Sequence, residues 1–161
     1  MPSIMQVKKY AARLLLVTLL GLSPLIANAD PWLKTPADGP QILPVDPAFQ
    51  LMPVERDARA LRVSWFISKG YYLYRERMHF RVIAPRGAAL GKPQMPAGER
   101  QDDPGFGVVH VYRDSNLVID LPFKSGTQRP SRLEIRYQGC AEAGVCYPPQ
   151  TRIVDIPALG S

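Results

Sequence analysis

Apolar residues at every second position, in short runs separated by turn residues, constrain this chain more than any other feature. Leu61, Val63, Trp65 and Ile67 alternate with Arg62, Ser64 and Ser68. Met78, Phe80 and Val82 alternate with His79 and Arg81. Leu117, Ile119, Leu121 and Phe123 alternate with Asp120 and Lys124. Leu133, Ile135 and Tyr137 alternate with Glu134, Arg136 and Gln138. Successive side chains of a strand point to opposite faces, so each run reads as a half-buried strand with one wet face. The breaks between them carry turn chemistry: "SKG" (68–70), "APRG" (84–87), "DDPGFG" (102–107), "RDSN" (113–116) and "KSGTQRP" (124–130). Residues 30–47, rich in Pro, Asp and Gly, read as an irregular lead-in. Beyond residue 29 no stretch of ten residues has helical periodicity, and 17 prolines oppose long helices. Short strands without intervening helices predict an all-β, immunoglobulin-like antiparallel β-sandwich.

The first thirty residues bear on the compartment. Lys8, Lys9 and Arg13 precede the apolar run "LLLVTLLGLSPLI" (14–26), which is short for a membrane span. "ANA" (27–29) follows, with small residues where a signal peptidase reads. A signal peptide over 1–29 and one domain over 30–161 are therefore expected. An uncleaved anchor is the rival, which Gly21, Ser23 and Pro24 disfavour. No cysteine lies near residue 29, which excludes a lipoprotein anchor, and no second apolar run follows, so a soluble periplasmic product is expected. Removing three basic residues and no acidic ones lowers the formal charge from +6 to +3. Arg62, Arg81, Arg136 and Arg152 fall singly along the expected strands and read as a solvated face. Nucleic acid is not an expected partner.

The chain has two cysteines, Cys140 and Cys146, in "YQGCAEAGVCYPPQT" (137–151). After export, such a pair forms an intramolecular disulfide by default. "AEAGV" reads as a five-residue hairpin loop, with Gly144 able to take a positive φ. Cysteines opposed at the strand ends would have Cα atoms about 4.5–5.5 Å apart, within disulfide range. Stability is a weak reason for so local a bond: a loop this short contributes roughly 2.4 kcal/mol, against about 4.7 for a hundred residues. The alternation that turns Leu133, Ile135 and Tyr137 inward turns Cys140 away from the core, so Cys140 is expected to be reachable. Glu142 is the only charged residue in the loop, and a carboxylate disfavours a thiolate. The pair therefore suits attack by a partner's thiolate. An inert clip remains a full alternative. A zinc site built with His79 and His110 finds no support in the spacing, and no cofactor or metal is expected.

The same stretch closely resembles the active-site hairpin of the N-terminal periplasmic domain of the DsbD family of disulfide reductases. "GYYLYRERM" (70–78) looks like that domain's aromatic strand, and "ILPVDPAFQL" (42–51) and "VYRDSNLVIDLP" (111–122) match its pattern in order. The resemblance covers about residues 40–157. It implies an immunoglobulin-like sandwich in which Cys140 and Cys146 shuttle electrons. The donor would be a thioredoxin-like or membrane protein, and the clients periplasmic disulfide oxidoreductases. It implies that Tyr72, Tyr74 and Tyr147 line the site, and that Cys146 is the sulfur that bonds a partner. Sheet packing is the plain alternative for the tyrosines.

The family also shields its cysteines with a loop of acidic and aromatic residues, which corresponds here to "QDDPGFG" (101–107). Asp103 matches an acidic position, but Pro104 and Gly105 replace the family's acid and capping phenylalanine, and Phe106 stands one residue late. Phe106 with Asp103 is expected to form the cap through a shifted loop; a plain turn is the alternative. The chain ends at Ser161, just past the last expected strand, which leads to the expectation of a monomer whose donor and client are separate proteins. The rival from another class is a secreted sandwich that binds a partner and carries an inert hairpin clip.

Overall fold

The computed structural model describes residues 41–113 and 116–158. The expected signal peptide and Asp114–Ser115 of the "RDSN" turn lie outside the described residues. Strand β3 (Ala60–Ile67) runs antiparallel to β8 (Asn116–Pro122) on one side and to the short β1 (Phe49–Leu51) and β2 (Glu55–Arg56) on the other. A second sheet is built from β5 (His79–Ala84), β9 (Arg132–Tyr137) and β12 (Gln150–Asp155), with β9 central. All ladders between named strands are antiparallel, as the absence of helical crossovers requires. The fold is the all-β, immunoglobulin-like antiparallel sandwich that the alternation predicts.

The alternation also selects the core. Leu61, Val63, Trp65 and Ile67 from β3 meet Leu117, Ile119 and Leu121 from β8 and Leu133, Ile135 and Tyr137 from β9, all buried. Trp65 packs edge-on to Tyr137 at 5.7 Å between ring centroids. Burying an aliphatic side chain of this size contributes about 1.5–3 kcal/mol, so a few such layers hold the two sheets together. Three of the four scattered arginines are paired rather than simply solvated: Arg62 with Asp120, Arg81 with Glu134 and Arg152 with Asp46.

A third sheet was not legible in the alternation. It has the order β11 (Val145–Cys146), β10 (Gly139–Ala141), β4 (Tyr71–Tyr74), β7 (Gly107–Arg113) and β6 (Glu99–Asp103). Two segments pass into it from the second sheet. The expected aromatic strand over 70–78 ends at Tyr74, and a 3-10 turn at Arg75–Arg77 separates β4 from β5. The alternating run from Leu133 to Gln138 ends as a strand at Tyr137, and the Gln138 carbonyl accepts from the Tyr74 amide at 3.0 Å. A further departure lies in the lead-in, where Val45–Ala48 form one helical turn, α1, closed by the Ala48 amide on the Pro44 carbonyl.

Candidate functional site

The β4 sequence Tyr-Tyr-Leu-Tyr is buried on both faces. Tyr71 and Leu73 join the main core, while Tyr72 and Tyr74 turn the other way and meet Val109, Val111 and Cys140 in a small second core. Gly139 makes this possible. A Cβ there would overlap the Tyr72 carbonyl and stand 2.6 Å from Phe49 Cζ, so only glycine lets β10 lie against β4.

Cys140 is opposite Cys146 on one side and opposite Tyr72 on the other, and Tyr72 in turn is opposite Arg113. Opposed residues share a face, so Cys146, Cys140, Tyr72 and Arg113 form one row across the third sheet. The two cysteines are disulfide-bonded, with Cα atoms 4.0 Å apart, closer than the 4.5–5.5 Å expected. The hairpin is tighter than a five-residue loop. Ala141 pairs with Val145, leaving Glu142, Ala143 and Gly144, and Gly144 takes φ +86°. A three-residue turn with a left-handed third position needs that glycine.

The expectation that Cys140 is reachable is overturned. The residue does face away from the main core, but β7 and the tyrosines cover it, and its exposure is 0%. Cys146, on the outer strand of the hairpin, is exposed. The alternation gave the direction of Cys140 correctly; it could not reveal that strands from elsewhere in the chain close over that face. The bond thus joins one buried and one exposed cysteine.

Tyr74 links the sulfurs to the loop above them. Its hydroxyl lies 3.2 Å from Cys140 Sγ and 4.0 Å from Cys146 Sγ, and it donates to Asp103 Oδ2 at 2.6 Å. Burial, aided by the Asp103 carboxylate, holds the Tyr74 phenol far above its ordinary range, so it stays protonated. The bond from Tyr74, with further donation from the Gly105 and Phe106 amides at 2.8 and 3.0 Å, lowers the Asp103 carboxyl below its ordinary value. Asp103 also shapes the β6–β7 turn, which closes on Gly107 at φ +71°. That turn delivers Phe106 onto Tyr74, edge-on with ring centroids 5.4 Å apart. The Arg77 guanidinium covers Phe106 at 4.2 Å. Phe106 remains 43% exposed. "DDPGFG" is therefore a turn, and one whose aromatic residue contacts the site tyrosine.

Tyr72 packs edge-on to Tyr74 at 5.4 Å. Tyr147 lies elsewhere: its ring packs on Phe49 and Tyr71, and its hydroxyl donates to the Leu43 carbonyl, placing it with the main core. The resemblance implied that it lines the site, but the chain turns there towards β12.

Arg113 is a residue that sequence reasoning missed. Its guanidinium donates to Glu142 in the cysteine hairpin at 2.6 Å and to Gln101, pairs with Glu99 at 3.0 Å, and lies over the Tyr72 ring at 5.3 Å. It ties the β6–β7 hairpin to the cysteine hairpin and engages the carboxylate that would oppose a nearby thiolate. The available signal was an arginine in phase with Val109 and Val111. His110 is engaged by Glu76, and His79 stands opposite Arg136. Among the described residues no three His, Cys, Asp or Glu side chains converge as a metal site.

Comparison with known proteins agrees with this geometry. A family model described as "Thiol:disulfide interchange protein DsbD, N-terminal" matches residues 39–158. Thiol:disulfide interchange protein DsbD 1 of Pseudomonas aeruginosa is 41% identical over 120 residues, covering 74% of this chain and 20% of that protein. The DsbD of Photorhabdus laumondii is 38% identical over 149 residues, covering 91% of this chain and 25% of that one. The chain thus spans about a fifth to a quarter of these relatives' length. Among solved structures, the reduced N-terminal domain of Neisseria meningitidis DsbD superposes with a TM-score of 0.65 at 32% identity, covering 74% of this chain and 92% of that one. The same domain in complex with the N-terminal domain of PilB gives 0.61 at 31% identity, covering 73% and 89%. A buried–exposed disulfide on a hairpin of an immunoglobulin-like sandwich, matched along nearly the whole described chain, has one family reading: this chain belongs to the family of N-terminal domains of the thiol:disulfide interchange protein DsbD.

Proposed function

We propose that this protein is a periplasmic thiol–disulfide exchange module that carries two electrons at a time through Cys140 and Cys146. A thioredoxin-like or membrane donor supplies them, and exported disulfide oxidoreductases receive them. The carrying observation is the asymmetry of the bond, one sulfur residue exposed and the other at 0% exposure. A donor thiolate attacks Cys146 Sγ, forming a mixed disulfide and releasing Cys140 as a thiolate that takes up a proton. The donor's second thiolate then displaces Cys146, leaving the donor oxidised and this protein as the dithiol. In the second half, the Cys146 thiolate attacks a client disulfide and Cys140 resolves the mixed species. The client leaves as a dithiol and the Cys140–Cys146 bond is restored. Phe106, held on Tyr74 with Asp103, acts as the cap that a partner displaces, a gating step rather than a chemical one.

The chemistry of Cys140 follows from its surroundings. Among the described residues the polar partner of its sulfur is the neutral Tyr74 hydroxyl, and burial disfavours a thiolate, so it serves as the resolving rather than the attacking group. The periplasmic reading rests on the signal-like sequence over 1–29 and on the family. Among the described residues no helix is long and apolar enough to cross a membrane. The partner reading is supported by the neighbouring complex of a DsbD N-terminal domain with a PilB domain.

Two measurements test this reading. The reduction potential of the pair should lie above about −300 mV, where structural disulfides typically fall below. With Cys140→Ser, the remaining Cys146 thiol should react with a chromogenic aromatic disulfide at least about tenfold faster than Cys140 does in Cys146→Ser, as its exposure dictates. A potential well below that range together with equal thiol reactivities would favour the inert clip.

A further inference from the structure

The outer face of the second sheet changes character along the β5–β9 ladder. Arg81 is opposite Glu134, and its Nε and Nη2 engage both carboxylate oxygens. At the next outward-facing position the sheet sets His79 opposite Arg136. An arginine opposed to a histidine rather than to an acid has no cross-strand ion pair on that face. The acid next to this pair on the same face is Glu134, two positions from Arg136, its carboxyl lowered chiefly by Arg81 and in part by Arg136. Arg136 is the scattered arginine that finds no ion pair among the described residues; Glu134, its near neighbour in sequence, is already held by Arg81.

Together with Arg77, Gln138 and Pro149, this pair lines a notch of about 80 Å³. That admits a carboxylate or a few waters, and not a drug-sized ligand, which takes about 300–1,000 Å³. Two arginines and a histidine are among its lining residues, and no acidic residue is. The notch is also coupled to the cap. Arg77, which contributes one wall, is the residue whose guanidinium covers the Phe106 ring at 4.2 Å, and Phe106 rests on Tyr74. Glu76, the nearest acid in sequence, is turned to His110 on β7 instead.

We infer that the Arg77–His79–Arg136 notch receives a carboxylate side chain of the redox partner, and that this engagement draws Arg77 off Phe106 and loosens the cap. The inference rests on the electron-carrier reading above. A guanidinium bonds a carboxylate through paired, charge-assisted hydrogen bonds, which outcompete a partly exposed contact with an aromatic face. A partner with an acid at the right place would thus open the site as it docks, and a neutral or cationic thiol would not.

The test uses small thiols as probes on the oxidised protein: mercaptosuccinate, with two carboxylates, and neutral 2-mercaptoethanol, each rate corrected to its thiolate fraction. In the unaltered protein the mercaptosuccinate-to-mercaptoethanol ratio should exceed that of a free model disulfide by roughly three- to tenfold, as a local cationic site concentrates an anion. Arg136→Gln should lower that ratio about threefold while leaving the mercaptoethanol rate unchanged. Arg77→Gln should lower the ratio and also raise the mercaptoethanol rate, because Phe106 loses its cover. Arg129→Gln removes the same charge from a different loop, where Arg129 stacks on Phe123, and should change neither. Ratios equal across all four proteins would overturn the notch, as would an Arg129→Gln loss as large as that of Arg136→Gln. Failure of the carrier reading is separate: the disulfide would then resist both thiols in every protein, whatever the ratio.

Discussion

Asp103 ends β6 and Phe106 closes the three-residue turn that follows it, and the two do different things there. The ring of Phe106 touches Tyr74 and Arg77 and stays partly exposed, so truncating it removes little from the core. Phe106→Ala should cost under about 1 kcal/mol of stability, in the range of ordinary surface substitutions. It should speed reduction of the disulfide by dithiothreitol severalfold, read from thiol release under pseudo-first-order conditions. An unchanged rate would show that the ring does not gate the sulfurs. Asp103 acts through charge. Its carboxyl is depressed below 3.8, chiefly by the hydrogen bond from Tyr74 and then by the turn amides. A depressed folded value means that its contribution is complete above about 3.8 and is lost as pH falls through the lower folded value. Reduction by a phosphine, which works in acid, should therefore accelerate below that pH beyond the phosphine's own dependence. Asp103→Ala, already lacking the bond, should show no such rise.

At the scale of elements, the site depends on two hairpins that are remote in sequence. The cysteine hairpin β10–β11 adds to the edge of β4, and β6–β7 adds to the other edge, so the row from Cys146 to Arg113 exists only when all of them pair. Arg113 fastens one hairpin to the other through Glu142, Gln101 and Glu99. Because Glu142 and Glu99 are largely exposed, the global effect of Arg113→Gln should be modest, about 1 kcal/mol. The local effect should be larger. Amide hydrogen exchange over 141–146 should quicken while the amides of β3 and β8 keep their protection. Uniform loss of protection would mean that Arg113 supports the whole fold rather than this junction. The β-strand periodicity was readable for β3, β8 and β9 because each has one dry and one wet face. It was not readable for β4, buried on both faces, or for β6, whose residues are all polar or charged and none buried.

For the molecule as a whole, the disulfide closes only a local loop, Cys140 to Cys146, while the sandwich core lies on the other side of β10. Breaking it should therefore leave the fold standing. The loss expected from chain entropy is roughly 2.4 kcal/mol, a fraction of the stability of a domain of this size. Urea unfolding followed by tryptophan fluorescence should show a lower midpoint for the dithiol form with an unchanged slope. A carrier that must cycle between both states requires this. A collapse of cooperativity on reduction would instead mark the bond as a structural clip.

The sequence by itself determined which residues face the main core, where most turns fall, that the two cysteines meet on one hairpin, and which family the chain resembles. Those properties follow from local periodicity, turn chemistry and short motifs, which act over a few residues. Tertiary structure alone decided the exposure of each sulfur. Cys140 points away from the main core as its strand position requires, yet it is buried because Val109 and Val111 of β7 and the two site tyrosines close over it. Cys146 stays exposed because its strand forms the sheet edge. Periodicity within one strand gives a direction; what lies in that direction depends on contacts between residues about thirty positions apart or more, such as Tyr74 with Asp103 and Cys140 with Val111.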